Sequence, residues 1–434
     1  MTKAQQIIDK YKSLHRVVIN LSIRPEYYEL LESLGNPQES LPPTFHVAGT
    51  NGKGSVCAFL RAILEASGYK VHVYTSPHLV NLNERIRIAG KLITDEYFGQ
   101  ILEDIDSKTS PEKLSYFEIL TAAAFKAFSE NKADFVILET GLGGRLDATN
   151  VIKNPLATII NRLSLDHRDF LGETIDKIAA EKAGIMKKNS KCFSANQPDA
   201  LAMKTLEECA EKLGIALERE GKNWKYKILS DGFEYRDEKN TFKLPKPGLN
   251  GKHQYQNASL AIRALSVLKP SVTEAAVREG LKNVEWRGRL EKLEHKNLEI
   301  WLDGGHNDSA GEVLAEQIKE WFSEDEKKYV GKHKELYVIL GMITTKKPAE
   351  FIGPFAEYIK EAITVDIPEH TSISKEELAE QLKGIKIKAN TANSVEAAIR
   401  DIEKKNTGTL GARILICGSL YLAGTVLSEL GCCV

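Results

Sequence analysis

Residues 46–55 read HVAGTNGKGS, at a point where an apolar β-type run gives way to a helical pattern. In such a turn the backbone N–H groups of Gly49, Thr50, Asn51, Gly52 and Gly54, with the positive end of the following helix, can surround a phosphate. Lys53 adds a point charge, and the Ser55 hydroxyl can reach a phosphate-bound metal ion. The spacing departs from the usual GxxxxGK[ST]. Gly54 stands between Lys53 and Ser55, and only Thr50 and Asn51 separate Gly49 from Gly52. The chemistry expected of this set is nucleotide binding.

Other residue types point to the same sheet edge. Glu139 closes the run DFVIL, and a carboxylate at the end of a parallel strand lies where open α/β sheets bind ligands, a natural place for a Mg²⁺ ligand. Ser76 follows the strand KVHVYT, and His167 lies in a polar turn after ATIINRLSL. Because Mg²⁺ prefers oxygen, His167 taken alone fits a hydrogen-bonding role as well as metal ligation. The segment SYFE places Ser115, Tyr116, Phe117 and Glu118 together. Its two rings suit stacking against a flat bicyclic ligand, or simple core packing at a helix start, and Asp147 in RLDATN can accept hydrogen bonds from ring nitrogens. Lys182, in AAEKAGIMKK, reads by itself as a solvated helix lysine. Asp303 and His306 in LDGGHN fit an Asx turn and a surface histidine when read alone.

The elements that must position these residues follow from periodicity. TFHVAG, YKVHVYTS, DFVILET and ATIINRL alternate with helical stretches such as SVCAFLRAILEASG, which stops on Gly68. That alternation predicts parallel strands with crossover helices, an α/β layout. Between Trp224 and Pro247 the pattern changes to short segments that predict a hairpin-like antiparallel piece. EIWLDGG, ELYVILGM, EAITVDI and RILICGS then open a second alternating series. With 434 residues, two domains are expected, 1–290 and 291–434, with the working site between them. The charge run SEDEKKYVGKHKE reads as a solvated helix end and loop.

Composition narrows the partners. The 59 Lys+Arg against 60 Asp+Glu leave a formal charge of −1, which removes the electrostatic case for nucleic acid or an anionic membrane. The cysteines Cys57, Cys192, Cys209, Cys417, Cys432 and Cys433 show neither CxxC pairs nor regular spacing, so no zinc site or disulfide framework is expected. MTKAQQIIDKYKSLHR reads as a polar helix, and no apolar run of about 18 residues occurs. A cytoplasmic, monomeric protein acting on small molecules is the expectation.

GTNGKGS resembles the ATP loop of the Mur ligase superfamily, and its HVA and SV flanks resemble the folylpolyglutamate synthase and dihydrofolate synthase branch. The resemblance continues through TSPHLVNLNERI, SYFEILTAAAF, ETGLGGRLDATN, LDHRDFLG, AAEKAGI, GKHQYQNA, WRGRLE, LDGGHN and CGSLYLAG, in family order. It implies a P-loop-type central ATPase domain with a mostly parallel sheet plus a smaller Rossmann-like C-terminal domain that binds glutamate. It also implies two Mg²⁺ sites drawn from Ser55, Ser76, Glu139 and His167, and leaves a need for K⁺ open. Lys182 would be carbamylated by CO₂, giving an anion that supports the second Mg²⁺. Asn257 would contact the adenine region, and Arg289 and Asp303 the phosphates and ribose. His306 would face the transferred group, with Ser419 and Tyr421 holding glutamate, while Ser115 to Glu118 with Leu146, Asp147 and Ala148 would hold the pteroate.

The reaction implied is ATP-dependent ligation of L-glutamate to dihydropteroate and to folates. The carboxylate becomes an acyl phosphate, glutamate attacks it, and Lys53, Lys182 and His306 serve the catalytic step. Domain closure would bring Arg289, Asp303 and His306 onto the substrates. The sequence departs from the family in NLNERI, which lacks a preceding basic residue, in Arg287 where proline is usual, and in GMITTKKP, which lacks acidic residues. The rivals are a folylpolyglutamate synthase alone, a muramyl amino-acid ligase, an ATP-binding switch, and a kinase that releases a stable phosphorylated product. SYFE, GGRLDATN and CGSLYLAG speak against the muramyl ligase, and a switch leaves Glu139, His167, Lys182, Asp303 and His306 without a task.

Overall fold

The structure is a computed structural model that describes residues 2–14, 23–268, 272–295, 298–368, 370–406 and 410–429. By packing the chain divides into two units, Met1–Gly248 with Gln254–Glu285, and Leu249–His253 with Trp286–Val434.

The first unit is built on β1 (Thr44–Ala48), β2 (Val71–Tyr74), β3 (Ile86–Ile88), β4 (Lys91–Leu92), β5 (Phe135–Glu139), β6 (Ala157–Ile160), β7 (Lys191–Ser194) and β8 (Leu217–Arg219). They form one sheet in the order β4-β3-β2-β5-β1-β6-β7-β8. Five of its seven adjacent pairs are parallel, and only β2 with β3 and β3 with β4 run antiparallel. β1 lies between β5 and β6, with Val47 beside Glu139 and Ala48 beside Ile160, so three strand ends open on one edge. The helix Lys53–Ala66 covers a face because Val56, Phe59, Leu60, Ile63 and Leu64 recur at helical spacing and are buried. Each such side chain contributes about 1.5–3 kcal/mol on leaving water.

Sequence periodicity did not reveal β3, β4, β7 or β8, which are two to four residues long. A strand that short cannot show an alternation over enough positions to be read. The segment around Trp224 is an antiparallel sheet of β9 (Trp224–Leu229), β10 (Gly232–Asp237) and β11 (Thr241–Pro245).

The second unit carries β12 (Glu291–Leu293), β13 (Glu299–Leu302), β14 (Glu335–Leu340), β15 (Ile359–Thr364), β16 (Ala389–Thr391) and β17 (Ala412–Cys417). Their order is β12-β13-β17-β14-β15-β16, parallel except for β12 against β13. Trp286 to Leu290 pack with this unit, ahead of the boundary expected at 290, because Gly304 N–H bonds the Gly288 carbonyl and Leu290 N–H bonds Asp303. The charge run is corrected in part. Asp325 is 6% exposed and pairs with buried Arg413, and Lys334 pairs with Glu299. Cys57, Cys192, Cys209 and Cys417 are free thiols, whereas Cys432 and Cys433 lie outside the described residues, as do His15 and Arg16 of the N-terminal helical reading. Among the described residues no helix is long and apolar enough to cross a membrane.

Candidate active site

The turn after β1 is a compact loop held from below. Gly52 caps the helix with φ 75°, and a Cβ there would lie 2.5 Å from Asn161 Nδ2 and 2.8 Å from Asn257 Oδ1. Thr50 and Asn51 donate their N–H groups to the Arg162 carbonyl at 3.0 and 3.3 Å. These two N–H groups of the turn are thus engaged within the protein. Val56 N–H makes a helical bond to the Gly52 carbonyl, so helix geometry leaves the N–H groups of Lys53, Gly54 and Ser55 as those presented to an anion.

A chain of side-chain amides runs beneath the loop. Asn161 Nδ2 donates to the Asn51 carbonyl at 3.1 Å and to Asn257 Oδ1 at 2.8 Å. Asn257 Nδ2 donates to Gln254 Oε1 at 2.9 Å, and Gln254 Nε2 to Ser55 Oγ at 3.3 Å. From Asn161 through Asn257 and Gln254 the donors point in turn toward Ser55, which leaves the hydroxyl oxygen one further lone pair. Asn257, expected near adenine, is a buried strut of this network. Asn161 and Gln254 were not singled out from the sequence. Asn161 carries a signal that could have found it, a polar residue directly after the apolar strand ATII on the same edge as Glu139.

Lys182 overturns its reading as a solvated residue. It is 5% exposed, and its Nζ donates to the Gly49 carbonyl at 2.9 Å. Lys53 Nζ donates to the same carbonyl at 3.2 Å. Burial first, and the Lys53 charge second, lower the Lys182 amine to about 7.

Glu139 is 3% exposed at the end of β5, and one carboxylate oxygen accepts Ser76 N–H at 3.2 Å. Ser76 and Glu139 are thus brought together. His167 stands at φ 50° before the short helix Arg168–Leu171, with its ring 4.0 Å from Asp166. Among the described residues no group of three or more His, Cys, Asp or Glu side chains forms a metal site.

The SYFE segment begins the helix Tyr116–Glu130. Ser115 Oγ accepts Glu118 N–H while Glu118 Oε2 accepts from Ser115 N–H and Oγ, a reciprocal cap. Phe117 lies against Gly141, where no Cβ could fit, and its ring is 6.1 Å from Tyr74. Tyr116 and Phe117 both pack on the core while remaining partly accessible. Replacing Ser115 with alanine is expected to cost about 1 kcal/mol of stability through loss of the cap, read as a lower urea midpoint at unchanged slope. Asp147 is 3% exposed. Its Oδ2 accepts Gly141 and Leu142 N–H at 2.9 Å each, and its Oδ1 accepts Thr149 N–H and Oγ. A ring N–H reaching this carboxylate would replace one of those bonds. Burial raises the Asp147 carboxyl while these bonds oppose the shift. Leu146 is half-buried and Ala148 buried, its carbonyl accepting Tyr27 Oη at 3.4 Å.

In the second unit Asp303 follows β13, fixed by Leu290 N–H at 2.8 Å and Gly305 N–H at 2.7 Å. Burial raises its carboxyl, opposed first by the Arg289 charge. His306 Nδ1 lies 2.9 Å from the Gly304 carbonyl, and Gly418 N–H joins Gly305. Ser419 Oγ accepts Tyr421 N–H at 3.1 Å, and the Tyr421 ring stacks on His370 at 3.7 Å. Arg289, Asp303, His306, Ser419 and Tyr421 therefore gather at the C-terminal ends of β13 and β17.

Comparison with known proteins agrees with both units. The family model for the Mur ligase middle domain matches residues 47–265, and that for the dihydrofolate synthetase C-terminal domain matches residues 286–429. The chain belongs to the dihydrofolate synthase/folylpolyglutamate synthase family. A family member from Bacillus subtilis, named dihydrofolate synthase/folylpolyglutamate synthase, is 38% identical over 312 residues, which is 68% of this chain and 71% of its own length. Escherichia coli FolC in complex with DHPP and ADP superposes with TM-score 0.87 at 28% identity, covering 100% of this chain and 98% of that one. The bifunctional member from Yersinia pestis, complexed with AMPPNP and Mn ion, gives TM-score 0.86 at 28% identity over 99% of this chain and 98% of its own. The family fold, a P-loop-type α/β domain followed by a Rossmann-like one, is the fold found here.

Proposed function

We propose that this chain is an ATP-dependent carboxylate-amine ligase that adds L-glutamate both to dihydropteroate and to reduced folates. The observation that carries the reading is the convergence, at one edge of the first sheet, of the Gly52–Ser55 helix start, the paired lysines on Gly49 and the Ser76–Glu139 contact. An Escherichia coli relative named dihydrofolate synthase/folylpolyglutamate synthase is 30% identical over 96% of this chain, and the two family models fall one in each part of it.

The chain's own groups divide the work as follows. Helix N–H groups and Lys53 hold the β- and γ-phosphates of ATP, with Gly49 to Gly54 shaping the turn. Ser55, Ser76, Glu139 and His167 would hold divalent metal. Three of these four donors present oxygen and Glu139 is buried, which suits a hard cation, and we assign Mg²⁺ at two positions. Bound there, such a metal would supply charge that neutralises phosphoryl oxygens. Lys182, near-neutral and beside a second cation, is suited to capture CO₂: the amine attacks carbon, loses a proton, and becomes a carbamate whose negative charge Lys53 then attracts. Residues 115–118 and 146–148 take the pterin, and Asn257 and Gln254 keep Ser55 and Gly52 in place beside the nucleotide. In the second unit Arg289 and Asp303 serve the nucleotide, while His306, Ser419 and Tyr421 serve glutamate. Passing the γ-phosphoryl group to the substrate carboxylate makes an acyl phosphate; the glutamate amine displaces phosphate and forms the amide, so no protein nucleophile is needed.

The test is phosphate release from purified protein with Mg²⁺-ATP and glutamate, with dihydropteroate in one sample and tetrahydrofolate in another, each with and without K⁺. Mass spectrometry should show one added glutamate in both products. A gain only with tetrahydrofolate reduces the enzyme to a folylpolyglutamate synthase. ATP turnover with no amide in either sample overturns the ligase.

A further inference from the structure

We propose that His46, acting through Thr149, is a positioning residue that fixes Asp147 and the 140–147 loop for the pterin-bearing substrate. The inference rests on the assignment of that loop to the pteroate. His46 is fully buried on β1, outside the phosphate turn. Its Nε2 lies 2.8 Å from Thr149 Oγ1, which in turn lies 2.5 Å from Asp147 Oδ1.

Counting protons fixes the direction of both bonds. Asp147 receives three backbone N–H groups, from Gly141, Leu142 and Thr149, in addition to the Thr149 hydroxyl. The three backbone N–H donors favour the ionised form of Asp147, and a carboxylate can only accept. The single Thr149 proton therefore goes to Asp147, and the Thr149 oxygen must accept from His46. That makes His46 the neutral ring protonated on Nε2. Its Nδ1 is then a bare acceptor, and Nδ1 is the atom that has no hydrogen-bond partner among the described residues. The other tautomer would bury an N–H there and leave Thr149 without a donor, and a buried unpaired N–H is the rarer arrangement.

The chain thus runs from a rigid central strand to the carboxylate that pins Gly141 and Leu142. Gly141 is also the residue against which Phe117 rests. Removing His46 frees the Thr149 hydroxyl to turn, loosens Asp147, and shifts the 140–147 loop together with the Phe117 ring that rests on Gly141. No residue of the phosphate turn takes part, so ATP binding is predicted to be left alone.

The experiment compares His46→Leu, Thr149→Val and Thr149→Ser in the full chain. The first two are expected to raise KM for dihydropteroate by about tenfold or more, with KM for ATP within about twofold. Thr149→Ser, which keeps the hydroxyl, should restore the original KM. Equal rises in both KM values, or an unchanged KM for dihydropteroate, overturn the proposal. A second measurement does not depend on the variants folding: ¹⁵N NMR of histidine-labelled unsubstituted protein should show His46 as the Nε2–H tautomer. An Nδ1–H or doubly protonated ring overturns the chain. Failure of the folate reading is separable, because the unsubstituted protein would then turn over no pterin substrate while the tautomer remained readable.

Discussion

Lys182→Met protein is expected to lose on the order of 10³ in kcat for ligation while becoming more stable at neutral pH. The two halves have separate causes. In the folded chain the Lys182 amine lies near 7, against 10.5 for an exposed lysine, because burial and Lys53 disfavour its charge. The unfolded chain therefore binds more protons between these values, and this group's contribution to stability rises with pH from about 7 to 10.5. Below 7 the full penalty of a buried cation applies, and an apolar methionine of similar volume removes it. In CO₂-depleted buffer, where the wild-type lysine is the free amine, the Lys182→Met gain in melting temperature should thus be largest at pH 6 and shrink toward pH 10. Activity should fall regardless, since methionine cannot carry the carbamate. The same titration predicts CO₂ dependence. Wild-type activity in CO₂-depleted buffer should drop and recover on adding bicarbonate, with ¹³C-bicarbonate giving a carbamate signal that Lys182→Met lacks. A destabilised but active Lys182→Met enzyme would show that the lysine only supports the Gly49 carbonyl.

Gly52→Ala is expected to abolish measurable ATP turnover, a loss of 10² or more. The residue sits at φ 75°, where a side chain costs roughly 1–2 kcal/mol, and the new Cβ would press on Asn161 and Asn257. Those amides cannot retreat without breaking the bonds that lead to Asn51 and, through Gln254, to Ser55. The loop must lift instead, and a displacement of about 1 Å at a phosphate site can cost 10²-fold. Stability should fall only modestly, because the helix behind the loop is held by its buried apolar face. Retained turnover with weakened ATP binding alone would mean the amide chain yields and does not set the geometry of the loop.

The residues that touch phosphate, metal and substrate lie in short blocks whose chemistry needs particular side chains close together in sequence. Lys53 and Ser55 follow their glycines, Glu139 ends an unmistakable apolar strand, and Asp303 and His306 share one turn. Long strands and the helix Lys53–Ala66 are equally legible, since period two or three to four repeats over enough positions to be read. Local sequence pattern therefore specifies the α/β architecture, the family, and the roster of reactive groups. It could not determine environment. Lys182 on its helix looks like any solvated lysine until the fold lays it against Gly49, and Asp325 looks like surface charge until Arg413 reaches it. Asn161, Gln254, His46 and Thr149 become functional candidates only through hydrogen bonds that join segments 96 to 199 residues apart. Tertiary structure alone decided those, because burial and hydrogen-bond direction depend on which distant strands are neighbours, and a linear pattern carries no record of that.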